Sequence, residues 1–386
     1  MNFPLNVPED IDKYFFNRKN DLKYVKGYLD MMSDDVAHQI MITGCRGVGK
    51  SFFIKKLLND LPDNILSVNV DLSAIHGCEY GEISEEEVLK ELLDGISTVL
   101  LNNPSTLQNI KDIIISKIRQ IPLKSHDFLD IPLHEFKKHY FELRDFVMEL
   151  PQLIADESDD VCGFVIVVGE IQNLKNLKSP GDFFWMLRGY SQSQYNVSYI
   201  FTGSLSFTSD LISMINGPEG AYGGRLIHIN LKAFTKEETL NYIHEKTTVK
   251  FSDEGFDEFY KITNGMPVYI NTFLNVLDSH TQYNEKLIRQ TFKVEIDKIN
   301  VVWLSVWDTF TDKEKIIITS LFENDEMGWD ELIDIIPFSK STILKHVDIL
   351  NNRGVIDNYF NKYVISDKML ILWLKHKKEI LGHYPV

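Results

Sequence analysis

Gly44-Cys45-Arg46-Gly47-Val48-Gly49-Lys50-Ser51 constrains this chain more than any other stretch. It fits G-x-x-x-x-G-K-[ST], the pattern of a loop that cradles phosphate. Glycine lacks a Cβ, so successive backbone N–H groups can fold around β- and γ-phosphate oxygens. Lys50 is spaced to reach between those phosphates, and the Ser51 hydroxyl to bind Mg2+. A chance glycine-rich turn would not bring the right flanks. Here Gln39-Ile40-Met41-Ile42-Thr43 reads as a short strand, and 52–59 is helix-compatible, which sets the phosphates at a helix N-terminus.

Further along, Ile65 to Asp71 reads as a second strand. Ser84-Glu85-Glu86-Glu87 is a capping box that opens a helix through about Leu101. A mostly helical stretch follows from about Thr106 to Ile154, with Ile110, Ile113, Ile114 and Ile118 at helical spacing and no evident chemistry. Phe164 to Val168 is a continuous apolar run, as in a strand buried on both faces, and it ends in Gly169-Glu170. Tyr199-Ile200-Phe201 runs into Thr202-Gly203-Ser204, and 225–230 reads as a fifth strand. Strands alternating with helices predict a three-layer α/β domain with a parallel sheet. Ligands of such sheets bind beyond the strand carboxyl ends, where Ser51, Glu170 and Thr202 would converge.

From a capping box at Thr235–Glu238 the chain turns helical, and Asn264-Gly265-Met266-Pro267 marks a helix stop and a new start. A third box, Thr311–Glu314, opens three short helices, the last about Ser339 to Asn352, followed by a small hairpin. That order matches a winged helix. The expected division is 1–232 for the core with its N-terminal arm, 233–298 for a helical lid and 299–386 for the winged helix.

The chain is 386 residues long, enough for two or three domains. Its longest apolar run, Val161 to Gly169, is too short for a bilayer span. Cys45, Cys78 and Cys162 have no metal spacing and cannot all pair, and Met1-Asn2-Phe3-Pro4 lacks the start of a secretory signal. The expected home is therefore a reducing cytoplasm. A net charge of −16 opposes broad nucleic-acid binding. The stretch 300–386 has ten Lys/Arg against thirteen Asp/Glu, a net −3, where a dedicated DNA module would be basic. A protein partner or intramolecular docking is thus favoured over DNA for that segment.

Together these pieces resemble the archaeal ATPase family, within the AAA-related signal-transduction ATPases with numerous domains. The resemblance runs from about Tyr14 to Lys378. It is carried by Phe16-Asn17-Arg18 with Asp21-Leu22, by Gly44 to Ser51, and by Gly169-Glu170-Ile171-Gln172-Asn173-Leu174. Thr202-Gly203-Ser204 with Ser206-Phe207, Tyr222-Gly223-Gly224-Arg225, and Gly265-Met266-Pro267 complete it. The resemblance implies a P-loop NTPase core that binds ATP and Mg2+, with Phe52 joining the loop residues at the nucleotide. Glu170 matches the catalytic glutamate that orients and deprotonates water. Thr202 and Ser204 match a segment that reads the γ-phosphate. Arg225 matches an arginine that meets phosphate in cis or across a subunit contact. Phe16, Arg18 and Pro267 match positions near the adenine and the lid.

One departure matters. The residue before the glutamate is normally an aspartate that helps hold Mg2+, and here it is Gly169. Asp71, at the end of another strand, is a candidate substitute. The resulting expectation is an ATP-binding conformational switch with slow hydrolysis. The alternatives are a DNA-binding or origin-initiator-like regulator working through the winged helix, and a scaffold that holds nucleotide without hydrolysing it.

Overall fold

The computed structural model describes residues 3–75, 83–124, 129–204 and 210–385. Cys78, Ser206 and Phe207 lie outside the described residues. The N-terminal arm leads into α1 (Lys19–Asp30), then β1 (Ile40–Thr43), α2 (Lys50–Asn59) and β2 (Ile65–Asp71). Helices α3 (Glu85–Asn102), α4 (Pro104–Arg119), α5 (Leu133–Lys138) and α6 (Tyr140–Glu157) come next. The helix α3 opens on the expected capping box, with the Ser84 amide donating to Glu87 at 2.9 Å and the Glu87 amide to Ser84 Oγ at 3.2 Å. Then follow β3 (Gly163–Gly169), α7 (Pro180–Ser193), β4 (Val197–Gly203), α8 (Asp210–Asn216) and β5 (Ile227–Asn230).

The strands form one sheet in the order β2-β3-β4-β1-β5, and every pair in it is parallel. Side chains alternate between its faces. Ile40, Ile42, Val165, Val167 and Ile200 join a core with Leu22, Val25, Phe53 and Leu57 of α1 and α2. Met41, Val68, Val70, Phe164, Ile166, Val168 and Phe201 join another with Leu89, Phe146 and Phe184 of α3, α6 and α7. Covered on both faces, β3 and β4 are apolar almost throughout, which is why their runs were legible. Every loop that matters below leaves the carboxyl ends of β1, β2, β3 and β4.

A helical segment follows, with α9 (Lys236–Lys246), β6 (Lys250–Phe251), α10 (Asp253–Thr263), α11 (Pro267–Val276), β7 (Gln282–Tyr283) and α12 (Glu285–Ile299). Last come α13 (Val301–Trp307), α14 (Asp312–Asn324), β8 (Glu326–Gly328), α15 (Trp329–Ile335), α16 (Lys340–Asn352), β9 (Ile356–Tyr359), β10 (Lys362–Ile365) and α17 (Lys368–Leu381). The hairpin β9–β10 is joined on its free edge by β8, giving an antiparallel sheet in the order β8-β10-β9. Three residues with one buried side chain, Met327, are too short to show a period, so β8 had no sequence signal.

The core on the α2 side of the large sheet does not stop there. It continues through Phe234, Tyr242, Phe259 and Phe273 to Trp303, Trp307, Ile343 and Trp373. Polar ties reinforce the junctions. The Phe3 amide donates to Asn275 Oδ1 at 2.7 Å, and Tyr269 OH donates to Asp367 Oδ2 at 2.7 Å. No helix among the described residues is long and apolar enough to cross a membrane.

Candidate functional site

The loop 44–49 links β1 directly to α2, as the spacing predicts. Gly44 has φ 153°, and a Cβ there would sit 2.6 Å from the Leu231 carbonyl oxygen. Gly47 has φ 81°, and its Cβ would fall 2.3 Å from Val268 Cγ1. A side chain at either position is excluded by both strain and space. Val48 is buried beneath the loop. Its amide donates to the Cys45 carbonyl at 3.2 Å, which holds the turn.

Lys50 is only 8% exposed. Its ammonium donates to the Gly44 carbonyl at 2.8 Å, the Cys45 carbonyl at 3.1 Å and Ser204 Oγ at 2.8 Å. Burial pushes its pKa down to about 8, against the opposing pull of Glu170 and Cys45. A lysine so placed loses little hydration on meeting a polyanion, because burial has already stripped most of it.

A cavity of about 470 Å3 opens over the loop. Arg46, Gly47, Val48, Gly49, Lys50, Ser51 and Phe52 form its floor. Asp71, Ser73, Glu170, Gln172, Asn173 and Ser204 form the wall at the strand ends. Phe16, Arg18, Phe234, Tyr242, Pro267, Val268 and Asn271 close the opposite side. The sequence-predicted residues Lys50, Ser51, Phe52, Glu170, Ser204, Phe16, Arg18 and Pro267 therefore meet at one place. Gly44 and Cys45 do not line the cavity but contribute the carbonyls that hold Lys50.

Glu170 adopts a left-handed backbone, φ 53°, at the start of the 3-10 turn 171–176. Glu170 lines the cavity, and its charge acts on Lys50 of the loop. The Gln172 side-chain amide donates to Glu170 Oε2. Gln172 Oε1 is buried with no hydrogen-bond partner among the described residues. Thr202 is buried and faces Gly169 rather than the cavity, with its Oγ1 3.8 Å from where a Cβ on Gly169 would stand. Between Thr202 and Ser204, Ser204 is the one that reaches Lys50.

Arg18 crosses from the arm. Its guanidinium donates to the Lys232 carbonyl at 2.5 Å and the Val48 carbonyl at 3.3 Å, and lies over the Phe234 ring at 5.5 Å. Phe16 meets Phe234 and Tyr242 edge-on, at 5.7 and 5.2 Å between centroids. The arm is thereby stitched across the junction of core and helical segment.

Arg225, expected to meet phosphate in cis or across a subunit contact, does not line this cavity. It is exposed, two residues before β5, whose first residue Ile227 pairs with Ile40 at the start of β1. The loop leaves β1 at Thr43, opposite Asn230 at the far end of β5. Three residue steps, roughly 10 Å, separate the two edges.

Some wall residues carried no sequence role. Gln172 and Asn173 were visible only as part of the resemblance motif. Ser73, Tyr242, Val268 and Asn271 reach the cavity through tertiary packing and have no local signature.

Comparison with known proteins accords with this geometry. The family described as "ATPase domain predominantly from Archaea" matches residues 15–273. Among solved structures, the Walker-type ATPase paby2304 of Pyrococcus abyssi is similar over 97% of this chain and 100% of that chain, at 18% identity and a TM-score of 0.63. The ORC1 protein of Aeropyrum pernix, solved in complex with DNA, is similar over 97% of this chain and 95% of that one, at 10% identity and a TM-score of 0.50. At these identities the likeness is one of fold, an α/β P-loop NTPase architecture. No curated protein matches.

Proposed function

This chain belongs to the archaeal family of ATPase domains, and from that premise we propose that it binds ATP with Mg2+ over the 44–51 loop and hydrolyses it slowly. Nucleotide occupancy then sets how the lid, 233–298, and the C-terminal segment, 299–386, sit on the core, 1–232. The observation that carries this reading is the convergence of Lys50, Ser204 and Glu170 at the carboxyl ends of β1, β4 and β3, around one cavity.

Loop amides and Lys50 are the groups for the β- and γ-phosphates, aided by the partial positive charge at the start of α2. The donors available to a cation include the oxygens of Ser51, Asp71, Ser73 and Glu170, which suit a hard ion. Among the described residues no three His, Cys, Asp or Glu side chains cluster as a metal cage. That also fits Mg2+, which takes many of its ligands from phosphate and water. The metal, when bound, offsets charge on the phosphate oxygens. Glu170 orients water and accepts its proton, and Gln172 holds one of its carboxylate oxygens so that the other faces the water. Steady-state turnover that disappears in Glu170→Gln while ATP affinity remains supports this assignment. Turnover at background level across all magnesium concentrations would reject hydrolysis.

We read 299–386 as a winged helix that faces this protein's own core or a protein partner rather than DNA. Burial raises the pKa of Asp348 on α16, with Asp210 adding to the shift and Lys175 of the core opposing it. Asp348 on α16 is thus within electrostatic reach of Asp210 and Lys175 of the core. The net −3 of the segment points the same way. A mobility-shift titration at low salt should show no retarded species, and a salt-sensitive shift would favour the DNA reading.

A further inference from the structure

Gly169 sits where the metal-associated carboxylate is expected, yet crowding does not impose glycine. Its φ is ordinary, and an added Cβ would make contacts of 3.4 Å or more. The nearest are the Val70 carbonyl oxygen at 3.4 Å, Asp71 Cα at 3.7 Å and Thr202 Oγ1 at 3.8 Å. Asp71 is therefore the immediate lateral neighbour of the vacated carboxylate position. Strand pairing says the same, since Asp71 is the register partner of Gly169 in the parallel pair β2–β3.

Register partners in a parallel sheet point to the same face. Val167, two residues before Gly169, belongs to the core on the α2 face. Val68 and Val70 of β2 belong to the opposite face. Asp71 therefore projects on the α2 face, the side from which Ser51 opens into the cavity, and both residues line it. Its carboxylate is already held in place. Asp71 Oδ1 accepts from the Ser73 amide at 2.9 Å and from Ser73 Oγ at 2.7 Å. Oδ2 accepts no hydrogen bond from the described residues.

We propose that Asp71 supplies the metal-associated carboxylate, displaced by one strand from its usual place at position 169. The inference rests on the reading of this cavity as an ATP site. Oδ2 would be the oxygen that serves the ion when it is bound, while Oδ1 is held by Ser73. The chemistry asks only for an anionic oxygen beside Ser51 at a strand end, and β2 offers one about 4.8 Å, one inter-strand spacing, from the usual line.

The test is calorimetric titration of a non-hydrolysable ATP analogue into wild type, Asp71→Asn, and Asp71→Asn with Gly169→Asp, each with excess Mg2+ and with chelator. Asparagine retains a side-chain oxygen for the Ser73 bonds, so the turn survives while the charge goes. The expected result is that Asp71→Asn weakens the Mg2+-dependent gain in affinity about 10- to 100-fold, with metal-free affinity unchanged, and that Gly169→Asp restores it. An unaltered Mg2+ dependence in Asp71→Asn would overturn the proposal. So would an equal loss of metal-free affinity, which would assign Asp71 to loop structure alone. Failure of the wild type to bind nucleotide under either condition would instead remove the ATP-site reading.

Discussion

The amide of Val268 donates to the carbonyl of Gly47 at 3.2 Å, and the Val268 side chain occupies the space a Cβ on Gly47 would need. The first turn of α11 thus rests directly on the phosphate-binding loop. Gly47→Ala should be destabilising on two counts, the backbone at φ 81° and the clash. The backbone part alone is about 1–2 kcal/mol. Adding Val268→Ala should recover the clash part and leave the rest. Thermal unfolding of the single and double variants separates the two.

Lys50 gives a signed pH dependence. Its pKa is lowered to about 8, and a bound triphosphate favours the charged form and raises it. Nucleotide binding above pH 8 must therefore take up protons, and affinity should fall as pH rises from 8 toward the ordinary lysine value. Calorimetry at pH 8.5 in buffers of different ionisation enthalpy reads the uptake. Lys50→Met should abolish it and weaken binding.

Glu170→Gln should lower turnover by about 10²–10⁴-fold, the usual weight of a general base, while retaining ATP. Gln172→Ala should act more mildly, because it frees the carboxylate without removing it. Rapid-quench measurement of a single turnover distinguishes slowed chemistry from slowed release.

Tyr269 and Asp367 tie α11 to the C-terminal segment through their 2.7 Å bond. Burial holds the Asp367 pKa above the ordinary carboxylate value, and the Tyr269 hydrogen bond opposes that rise. A raised carboxylate pKa means that the folded state keeps its proton longer, so this group's contribution to stability is lost as pH rises through the folded value. Tyr269→Phe removes the opposing bond. Its cost should be about 1–3 kcal/mol near neutrality and should shrink toward acid pH, where Asp367 is protonated. Melting temperatures across pH provide the check.

Arg225 lies at the edge of the sheet away from the loop. Arg225→Ala should leave ATP affinity within twofold of wild type. Should copies of the chain associate to complete the site, its effect would appear only as a loss of turnover that varies with protein concentration.

The central strands β1, β3 and β4 were legible because burial on both faces makes them almost uniformly apolar, and their ends named Ser51, Glu170 and the 202–204 segment. Strand order was not legible, since register is a long-range property. Two consequences escaped the sequence for that reason. Asp71 and Gly169, 98 positions apart, are lateral partners, and Arg225 precedes a strand whose other end pairs with Thr43, where the loop begins. The arm was equally hidden. Phe16 and Arg18 sit on no periodic element and find their places only against Phe234, Tyr242 and the Lys232 carbonyl.

Helix α11 is only ten residues long, about 15 Å, yet separate parts of the molecule hold it at successive points. Val268 touches the phosphate loop, Tyr269 the C-terminal segment, and Asn275 the backbone of Phe3 in the arm. A short stiff rod gripped in this way cannot tilt at one end without dragging the others. In the proposed switch, these contacts make α11 the element through which a change at the loop would reach both the arm and the C-terminal segment.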